Sequence, residues 1–384
     1  MNNEYFDNKE KKYCNGCGLC AQICPQKAIK MIEDAEGFVY PQIDDKKCIN
    51  CGLCKKKCPN VKQEINNYTK CYILKNKSNE ILSNSSSGGA FFSIASKIIE
   101  KNGIVFGVKF NEKLIAVHDY VDNVNSLKIF QGSKYVRSNS YNCYDDIIYQ
   151  LKNDRTVLFT GTPCQCAAVR KLTEKYKDKI YTCEIICHAN PSPSVFEMYK
   201  KNLEYIYKKK LVNIEFRSKK NGWKNQTPIV YFEDGSCEEE NSYFYAFVRE
   251  LINRQSCYNC NFCTSNRLSD FTIGDVWGIE KISTNLKDDD TGLSLVCVNS
   301  EKGMKLFDEI RKDFILEEVD KELAFSFNHN SNIDCNKKRD LFFQLIERKV
   351  INEQNIIEYF HKYTKLSLIY RIKRKLKELL NRFH

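Results

Sequence analysis

Eight cysteines near the N-terminus are arranged in two copies of one spacing. The segments CNGCGLCAQICP (residues 14–25) and CINCGLCKKKCP (residues 48–59) both follow the pattern C-x-x-C-x-x-C-x-x-x-C-P. Thiolates at these spacings hold cubic 4Fe–4S clusters, and the fourth cysteine of each run ligates the other cluster. The pattern therefore predicts two clusters. The ligand sets are Cys14, Cys17, Cys20 and Cys58 for the first cluster and Cys48, Cys51, Cys54 and Cys24 for the second.

The segment between the two copies predicts a hairpin. AIKMI and GFVYPQI are typical of short strands, and EDAEG between them is typical of a turn. Together with the cysteine runs, this segment resembles the bacterial two-cluster ferredoxin domain over about residues 8–64. Zinc also accepts four thiolates, but the doubled run is far more specific than the spacing of a zinc ribbon.

Three cysteines repeat the first part of this spacing much later in the chain. Cys257, Cys260 and Cys263 form C-x-x-C-x-x-C, but no cysteine–proline pair follows them. A cluster at this position must take a ligand from a distant segment, and Cys164 and Cys187 are the candidates. Cys164 lies in FTGTPCQC, where a buried strand meets the start of a helix, and helix N-termini stabilise thiolates. The alternative is that Cys164 is a structural residue.

Small residues precede a predicted helix at SSSGGAFF (residues 85–92). Such a loop offers free backbone N–H groups at a helix N-terminus, which is a suitable place for a phosphate group. A flexible loop before an ordinary helix is the alternative explanation of the same residues.

Several motifs of the larger part occur together in one order. SSGGA, GSKYV, GTPCQ, ICH followed by PSPS, and the C-x-x-C run that leads to GDVWG resemble the flavoprotein beta subunit of coenzyme F420-reducing hydrogenases and dehydrogenases, over about residues 68–325. The whole chain resembles bacterial proteins in which a two-cluster ferredoxin domain precedes this module, often encoded beside surface-polysaccharide biosynthesis enzymes. The resemblance implies one FAD and a third 4Fe–4S cluster, without implying that coenzyme F420 is used.

Residue by residue, the resemblance implies cluster ligands at Cys164, Cys257 and Cys260. Cys187 is the expected fourth ligand, and Cys263, where relatives commonly have another residue, is the alternative. The expected FAD-binding residues are Ser86, Ser87, Gly88 and Gly89 of the phosphate loop, Lys134 of GSKYV, and Gly161, Thr162 and Pro163 of GTPCQ. An ordinary surface lysine is the competing interpretation of Lys134.

The predicted fold class is α+β. Strand-like segments such as CYILKN, IVFGVKF and RTVLFT alternate with helical ones, which favours a mixed sheet. We expect a small two-cluster ferredoxin domain (residues 1–66) and a larger mixed α/β domain that binds flavin and iron–sulfur in two parts (67–153 and 154–325). A helical, basic C-terminal segment (326–384) is expected to follow.

Composition narrows the function classes. The chain has 384 residues, twenty cysteines and a formal net charge of +11. Twenty cysteines and no apolar signal segment at the N-terminus favour metal sites over disulfides, and a cytoplasmic protein. The basic residues are spread along the chain without a nucleic-acid-binding motif, which argues against a nucleic-acid partner. Acidic partners or an anionic membrane surface suit the charge better, although a solvated surface explains most of it.

The last segment, LSLIYRIKRKLKELLNRFH (residues 366–384), predicts a basic amphipathic helix. Such a helix can lie on an anionic membrane surface, which would give the protein a peripheral contact with the inner face of the membrane. The alternative is a terminal helix that packs on the protein's own core.

Together these features predict an oxidoreductase that moves electrons between a hydride donor or acceptor at FAD and one-electron carriers, through 4Fe–4S clusters. The expected partner is a redox protein or a small hydride donor or acceptor. One alternative is an electron-transfer subunit that serves a partner enzyme, for example in surface-polysaccharide biosynthesis, and has no substrate chemistry of its own. A non-redox scaffold that keeps its clusters for structure is a third class.

Overall fold

Strands and helices alternate along most of the chain, and the predicted α+β fold class is confirmed. The computed structural model describes residues 4–61, 68–283, 285–328 and 330–364. Within these ranges the strands are β1 (Ile29–Glu33), β2 (Val39–Ile43), β3 (Lys70–Asn76), β4 (Ile104–Phe110), β5 (Ala116–Val121), β6 (Val157–Gly161), β7 (Ile180–Ile185), β8 (Leu211–Ser218), β9 (Thr227–Phe232), β10 (Cys237–Glu239), β11 (Phe271–Asp275), β12 (Ser294–Val298) and β13 (Phe314–Val319). The α-helices are α1 (Glu4–Asn8), α2 (Leu19–Gln22), α3 (Leu53–Lys56), α4 (Asn79–Ser83), α5 (Ala90–Glu100), α6 (Tyr144–Lys152), α7 (Pro163–Leu172), α8 (Pro193–Tyr207), α9 (Ser242–Val248), α10 (Ile279–Ile282), α11 (Glu301–Ile310), α12 (Lys321–Phe325), α13 (Arg339–Glu347) and α14 (Ile356–Thr364). Short 3-10 helices span Lys11–Tyr13, Val124–Phe130, Ser140–Cys143, Glu174–Tyr176, Gln255–Asn259 and Arg311–Asp313.

The N-terminal domain contains the hairpin that the sequence predicts. β1 pairs antiparallel with β2, with Ile29 opposite Ile43. The helices α2 and α3 follow Gly18 and Gly52, whose φ angles are +74° and +70°. Glycine adopts this left-handed conformation without a Cβ clash. Each copy of the GLC motif therefore starts a short helix at the same place.

The two copies differ in their surroundings. A Cβ atom at Gly18 would lie 2.5 Å from the side chain of Tyr141 in the larger domain, whereas one at Gly52 would meet no atom of the described residues within 4 Å. Cys51 and Ile49 of the second copy are exposed. The first copy is thus packed against the rest of the chain, and the second copy faces solvent.

Among the described residues, eight strands form a mixed sheet at the centre of the larger domain. Their order is β13-β3-β12-β11-β7-β6-β4-β5. The inner strands β11, β7, β6 and β4 run parallel, and the outer pairs are antiparallel. In open sheets, ligands bind in the crevice outside the carboxyl ends of parallel strands. GTPCQ follows β6 and ICHA follows β7 at this edge.

Both faces of the sheet are covered by helices. Val105 of β4 is buried with α5 and α11, whereas its neighbours Ile104 and Phe106 are buried with α6 and α7. This alternation is expected because successive side chains of a strand point to opposite faces. The sheet is therefore a central layer that fixes where β6 and β7 end.

A third core joins the two domains. Phe38 and Tyr40 of the hairpin are buried with aromatic residues of α8, α9, α13 and α14. The rings of Phe38 and Phe343 are 6.4 Å apart, and Arg339 pairs with Glu36 at 2.5 Å. The N-terminal domain is thus held by apolar burial and by an ion pair, in addition to the covalent connection.

The helix α7 begins beside Cys164, where the sequence predicts a helix start. Its first residue is Pro163. Proline is favoured in the first helical turn, and the backbone N–H of Thr162 donates to Gln165 Oε1 at 3.0 Å, which completes a capping box. Cys164 consequently lies inside the first turn of the helix.

The C-terminal part is helical where it is described, in α13 and α14. The predicted basic helix at residues 366–384 lies outside the described residues. In the ranges that the structure covers, no helix has both the length and the apolar character to cross a bilayer.

Candidate redox site

The first predicted ligand set converges in the folded chain. Cys14, Cys17, Cys20 and Cys58 line one small cavity of about 20 Å³. Burial raises the pKa of the Cys17 and Cys20 thiols, and neighbouring thiols of the same set raise both further. Four mutually repelling sulfurs around one space suit a cationic iron–sulfur core, which removes that repulsion.

The second predicted set lies at the exposed end of the hairpin domain. Burial raises the pKa of Cys54, and Cys48 and Cys51 also raise it. The backbone N–H of Ala28 donates to the Sγ atom of Cys24 at 3.3 Å. Cys24 follows α2, which packs against α3, the helix that carries Cys54. This packing agrees with the crossed ligand pattern.

Four cysteines of the larger domain come together although they are far apart in sequence. Cys164 is in the first turn of α7, Cys187 follows β7, Cys257 lies in the 3-10 helix Gln255–Asn259, and Cys260 directly follows that helix. Burial raises the pKa of Cys257 to about 11 and that of Cys260 to about 12, and Cys164 raises both. Burial also raises the pKa of Cys187 well above its ordinary value, and Cys257, Cys164 and Cys260 raise it further.

The alternative ligand Cys263 has a different partner. Its Sγ atom donates to the Ser331 carbonyl oxygen at 2.9 Å. Burial raises the pKa of Cys263, and Arg267 lowers it. Among the four thiols that raise the pKa of Cys187, Cys263 has the smallest effect. This arrangement favours Cys187 over Cys263 as the fourth ligand.

A cleft of about 470 Å³ opens beside the third thiol set, which is within the usual size range of small-molecule sites. It lies at the carboxyl ends of β6, β7 and β11 and extends to the start of α5. Its lining includes the predicted residues Ser86, Ser87, Gly89, Lys134, Gly161, Thr162 and Cys187. The cleft therefore unites the phosphate loop, the GSKYV motif and the GTPCQ motif.

Two predicted FAD contacts lie behind the wall of the cleft. The N–H of Gly88 donates to Ser294 Oγ at 2.8 Å, and a Cβ atom at Gly88 would lie 2.4 Å from the Leu74 carbonyl oxygen. Pro163 is buried at the start of α7. These two residues shape the wall, and neither is among those that line the open space.

Lys134 is partly buried at the cleft. Its Nζ atom donates to the carbonyl oxygens of Gln131 and Gly132 at 2.9 and 3.0 Å. Burial lowers the pKa of Lys134 to about 8. Within the described ranges no carboxylate pairs with its ammonium group. A partly buried cation without a described counter-charge favours the ligand-contacting interpretation over that of an ordinary surface lysine.

Other side chains at the cleft are not among the residues that the sequence predicts. Arg217 pairs with Asp275 at 2.7 Å, and both line the cleft. Trp277 and Arg137 also line it. Trp277 lies inside the GDVWG motif and Arg137 directly follows GSKYV, so the neighbouring motifs were the available signal for both. Nothing in the sequence marks Arg217 as a partner of Asp275.

The thiol sets and the cleft fit the implied cofactors. Thiols are the usual ligands of 4Fe–4S clusters, and a helix N-terminus with a nearby lysine suits the phosphates of a dinucleotide. Within the part of the chain that is described, no three His, Cys, Asp or Glu side chains lie close enough to hold a single metal ion. A cube of four irons spaces its thiolates more widely than a single ion does.

Comparisons with known proteins agree with the motifs. Residues 13–61 match the family model of the 4Fe–4S dicluster domain, and residues 154–323 match that of the C terminus of the coenzyme F420 hydrogenase/dehydrogenase beta subunit. A chain in a xenon-derivatised structure of the F420-reducing NiFe hydrogenase complex from Methanosarcina barkeri is 17% identical, with a TM-score of 0.45, over 78% of this chain and 94% of that chain. None of the curated proteins matches the chain.

The dicluster domain and its thiol sets define an iron–sulfur protein. Residues 154–323 belong to the coenzyme F420 hydrogenase/dehydrogenase beta-subunit family, as the ordered motifs predict. The chain therefore combines a 4Fe–4S dicluster domain with a module related to an oxidoreductase.

Proposed function

We propose that the chain is an iron–sulfur flavoprotein oxidoreductase that moves electrons between a hydride donor or acceptor and one-electron carriers. One observation carries the proposal: Cys187 belongs to the third thiol set and also lines the cleft. A bound flavin exchanges electrons in pairs with organic substrates and singly with iron–sulfur clusters. A cleft and a thiol set that share a wall suit that exchange.

The residues at the start of α5 supply one end of the FAD site. Gly89, Ala90 and Phe91 line the cleft there. A helix N-terminus attracts anions because its first N–H groups have no partner within the helix. Lys134 adds a positive charge to the same cleft. We expect this end to hold the FAD pyrophosphate, and the lysine to counter its charge.

The three thiol sets are arranged in series. The helix α2, which carries Cys20 of the first set, packs against the helix α7, which carries Cys164 of the third set. The first set therefore faces the third set, while Cys51 of the second set is exposed. This order supports a path from the cleft through the third and first sets to the second.

The exposed end of this series suits a protein partner. Lys46 and Lys56 are exposed around the second set, and Lys47 is exposed there with Asp44, from which its Nζ atom is 3.7 Å away. Basic residues at such a position attract an acidic redox protein and speed its association. The exposed second set also favours the alternative function, an electron-transfer subunit that serves a partner enzyme, because that partner could reach the second set directly.

Anaerobic purification of the full-length chain tests the proposal. We expect about twelve irons per chain, four for each of three clusters, and one FAD. The protein is then mixed separately with NADH, NADPH, reduced coenzyme F420 and reduced ferredoxin while the flavin absorbance is recorded. Bleaching by a small-molecule donor supports the oxidoreductase. Reduction only by the protein donor supports the electron-transfer subunit, and clusters without flavin contradict both the FAD site and the proposed reaction.

A further inference from the structure

Two buried arginines lie between the first and third thiol sets. Arg137 is 5% exposed and Arg254 is fully buried. Arg137 Nη2 donates to the carbonyl oxygen of Gly16 at 2.8 Å, and Arg254 Nε donates to that of Cys14 at 2.8 Å. Both acceptors belong to the loop that carries the first set. The two side chains therefore reach from the larger domain into the first ligand loop.

The same arginines are close to the third set. Arg254 is the residue before the 3-10 helix that carries Cys257, and its carbonyl oxygen accepts the N–H of Cys257 at 3.0 Å. Arg137 lines the cleft, as Cys187 does. Burial is the largest influence on the pKa of Cys257 and raises it, whereas Arg254 and Arg137 both lower that pKa. Each guanidinium group thus contacts the loop of the first set and also lowers the pKa of a thiol in the third set.

In the part of the chain that the structure describes, neither arginine has a carboxylate counter-charge. Among the described residues, no carboxylate forms a salt bridge with either one, and Arg137 Nε, Arg137 Nη1 and Arg254 Nη1 meet no hydrogen-bond acceptor. Arg254 gains a partial compensation, because its guanidinium group lies 4.1 Å from the centre of the Tyr40 ring. Other buried arginines of this chain do have an acid, as Arg339 has Glu36.

An uncompensated buried cation is strongly unfavourable, so negative charge at the neighbouring thiol sets would stabilise both arginines. A 4Fe–4S cluster with four thiolates carries a net negative charge, and one-electron reduction adds another unit to it. The first and third sets face each other across these arginines. Clusters at these sets would supply the counter-charge that the described residues do not.

We infer that Arg137 and Arg254 are positioning residues that serve as the counter-charges of the first and third clusters. They raise the reduction potentials of both clusters and tie the two sites together. The inference rests on the proposed function, because it assumes that both sets hold clusters. The physical reason is that a cation close to a cluster stabilises the reduced, more negative state, most strongly where water is excluded.

Potentiometric titration with electron paramagnetic resonance detection tests the inference on the anaerobic, full-length protein. Arg137→Gln and Arg254→Gln should each lower the midpoint potential of the first or third cluster by about 59 mV or more, which is a tenfold change in a one-electron equilibrium constant. Arg137→Lys and Arg254→Lys keep the charge and should keep most of the potential. The second cluster, which is more distant, should keep its potential in every variant.

The double variant Glu36→Gln with Arg339→Gln is the matched control. It removes a buried arginine of the same domain interface together with its acid, so the net charge of the interface is unchanged. We expect this variant to weaken the interface and leave the potentials of all clusters in place. A shift in the control as large as that in the glutamine variants would assign the effect to interface damage and overturn the inference.

Other outcomes also decide. Unchanged potentials in both glutamine variants overturn the inference, as do lysine variants that shift as far as the glutamine ones. If a glutamine variant loses its clusters, the lysine variant at the same position is the test. Wild-type potentials in that variant support the inference, and shifted potentials overturn it. The iron content of the wild-type protein separates this test from that of the proposed function. About eight irons would remove the third cluster, while the first-cluster potential would still report on the arginines.

Discussion

The indole ring of Trp277 stacks on that of Trp223, with ring centroids 5.4 Å apart and planes 9° from parallel. Trp223 is buried, and its Nε1 atom donates to the carbonyl oxygen of Ser86 at 3.1 Å. Trp277 is 43% exposed and lines the cleft. The pair therefore connects the phosphate loop to a flat aromatic surface, which suits one of the ring systems of FAD.

Replacing Trp277 should weaken FAD binding. Stacking of an aromatic side chain on a base is worth about 1–3 kcal/mol by alanine substitution, so we expect Trp277→Ala to raise the Kd for FAD about tenfold or more. Trp277→Phe should retain much of the affinity. Fluorescence titration of the deflavinated protein with FAD measures both. Tyr149→Ala, at an exposed aromatic residue of α6, is the control, and equal affinities in all variants would remove Trp277 from the site.

The affinity for FAD should depend on pH through Lys134. Burial lowers the pKa of this ammonium group to about 8, so in the empty cleft it is charged below about pH 8 and loses its proton above that pH. A charge that contacts the pyrophosphate therefore contributes fully below pH 8, and its contribution falls as the pH rises through 8. We expect the Kd for FAD to rise between about pH 8 and 10 in the wild-type protein.

The variant Lys134→Met separates this effect from other titrations. It should bind FAD more weakly than the wild type at pH 7, by about tenfold for one hydrogen bond between charged groups, and its affinity should change less over the same pH range, in which burial also makes Lys219 titrate, with a pKa of about 8. A wild-type pH profile that persists unchanged in Lys134→Met would mean that another group titrates and that Lys134 does not contact the phosphates.

The two candidates for the fourth ligand of the third set are experimentally separable. Cys187→Ser should lower the iron content from about twelve to about eight per chain and leave the ferredoxin-type clusters in place. Cys263→Ser should keep all the iron, because the Cys263 thiol already donates to the Ser331 carbonyl oxygen. Iron and sulfide analysis after anaerobic reconstitution measures both variants. The opposite pattern would exchange the roles of the two cysteines.

Electron transfer to an acidic carrier protein should depend on salt and on the lysines at the second set. Lys46 and Lys56 are exposed there. Their joint replacement by glutamate should slow the second-order rate about tenfold at low ionic strength, with a smaller effect at high salt because counter-ions screen the charges. Lys305→Glu, an exposed lysine of α11, is the control. Stopped-flow rates that are equal in all variants would locate the partner's contact elsewhere.

Local sequence features predicted the elements that carry the site better than they predicted the site's electrostatics. β4 is an apolar run directly after a helix-ending glycine, and its bounds match the prediction. The strands β5 and β13 were not predicted, because each lies at an edge of the sheet and its sequence, AVHDYV or FILEEV, mixes polar and apolar residues without strict alternation.

The cysteine spacing allows the two ferredoxin-type ligand sets to be predicted, because thiolate geometry around a cluster constrains the local chain. No comparable constraint marks Arg137 or Arg254, whose importance depends on carbonyl groups more than a hundred residues away. At Gly88, tertiary packing changes what the motif alone suggests. The motif suggested that its N–H is free for phosphate, but tertiary packing gives that N–H to Ser294 Oγ.

The duplicated cysteine run has one further consequence. Gly18 and Gly52 occupy equivalent positions in two segments with the same cysteine spacing, yet Tyr141 packs against the first glycine and no described residue packs against the second. The two copies are thus similar in sequence, but the larger domain packs against only the first of them. Side chains at the buried half are constrained by a neighbour that the exposed half does not have. Docking of the larger domain is therefore enough to give two copies of one motif different surroundings. One copy connects to the interior of the protein, and the other is presented to solvent.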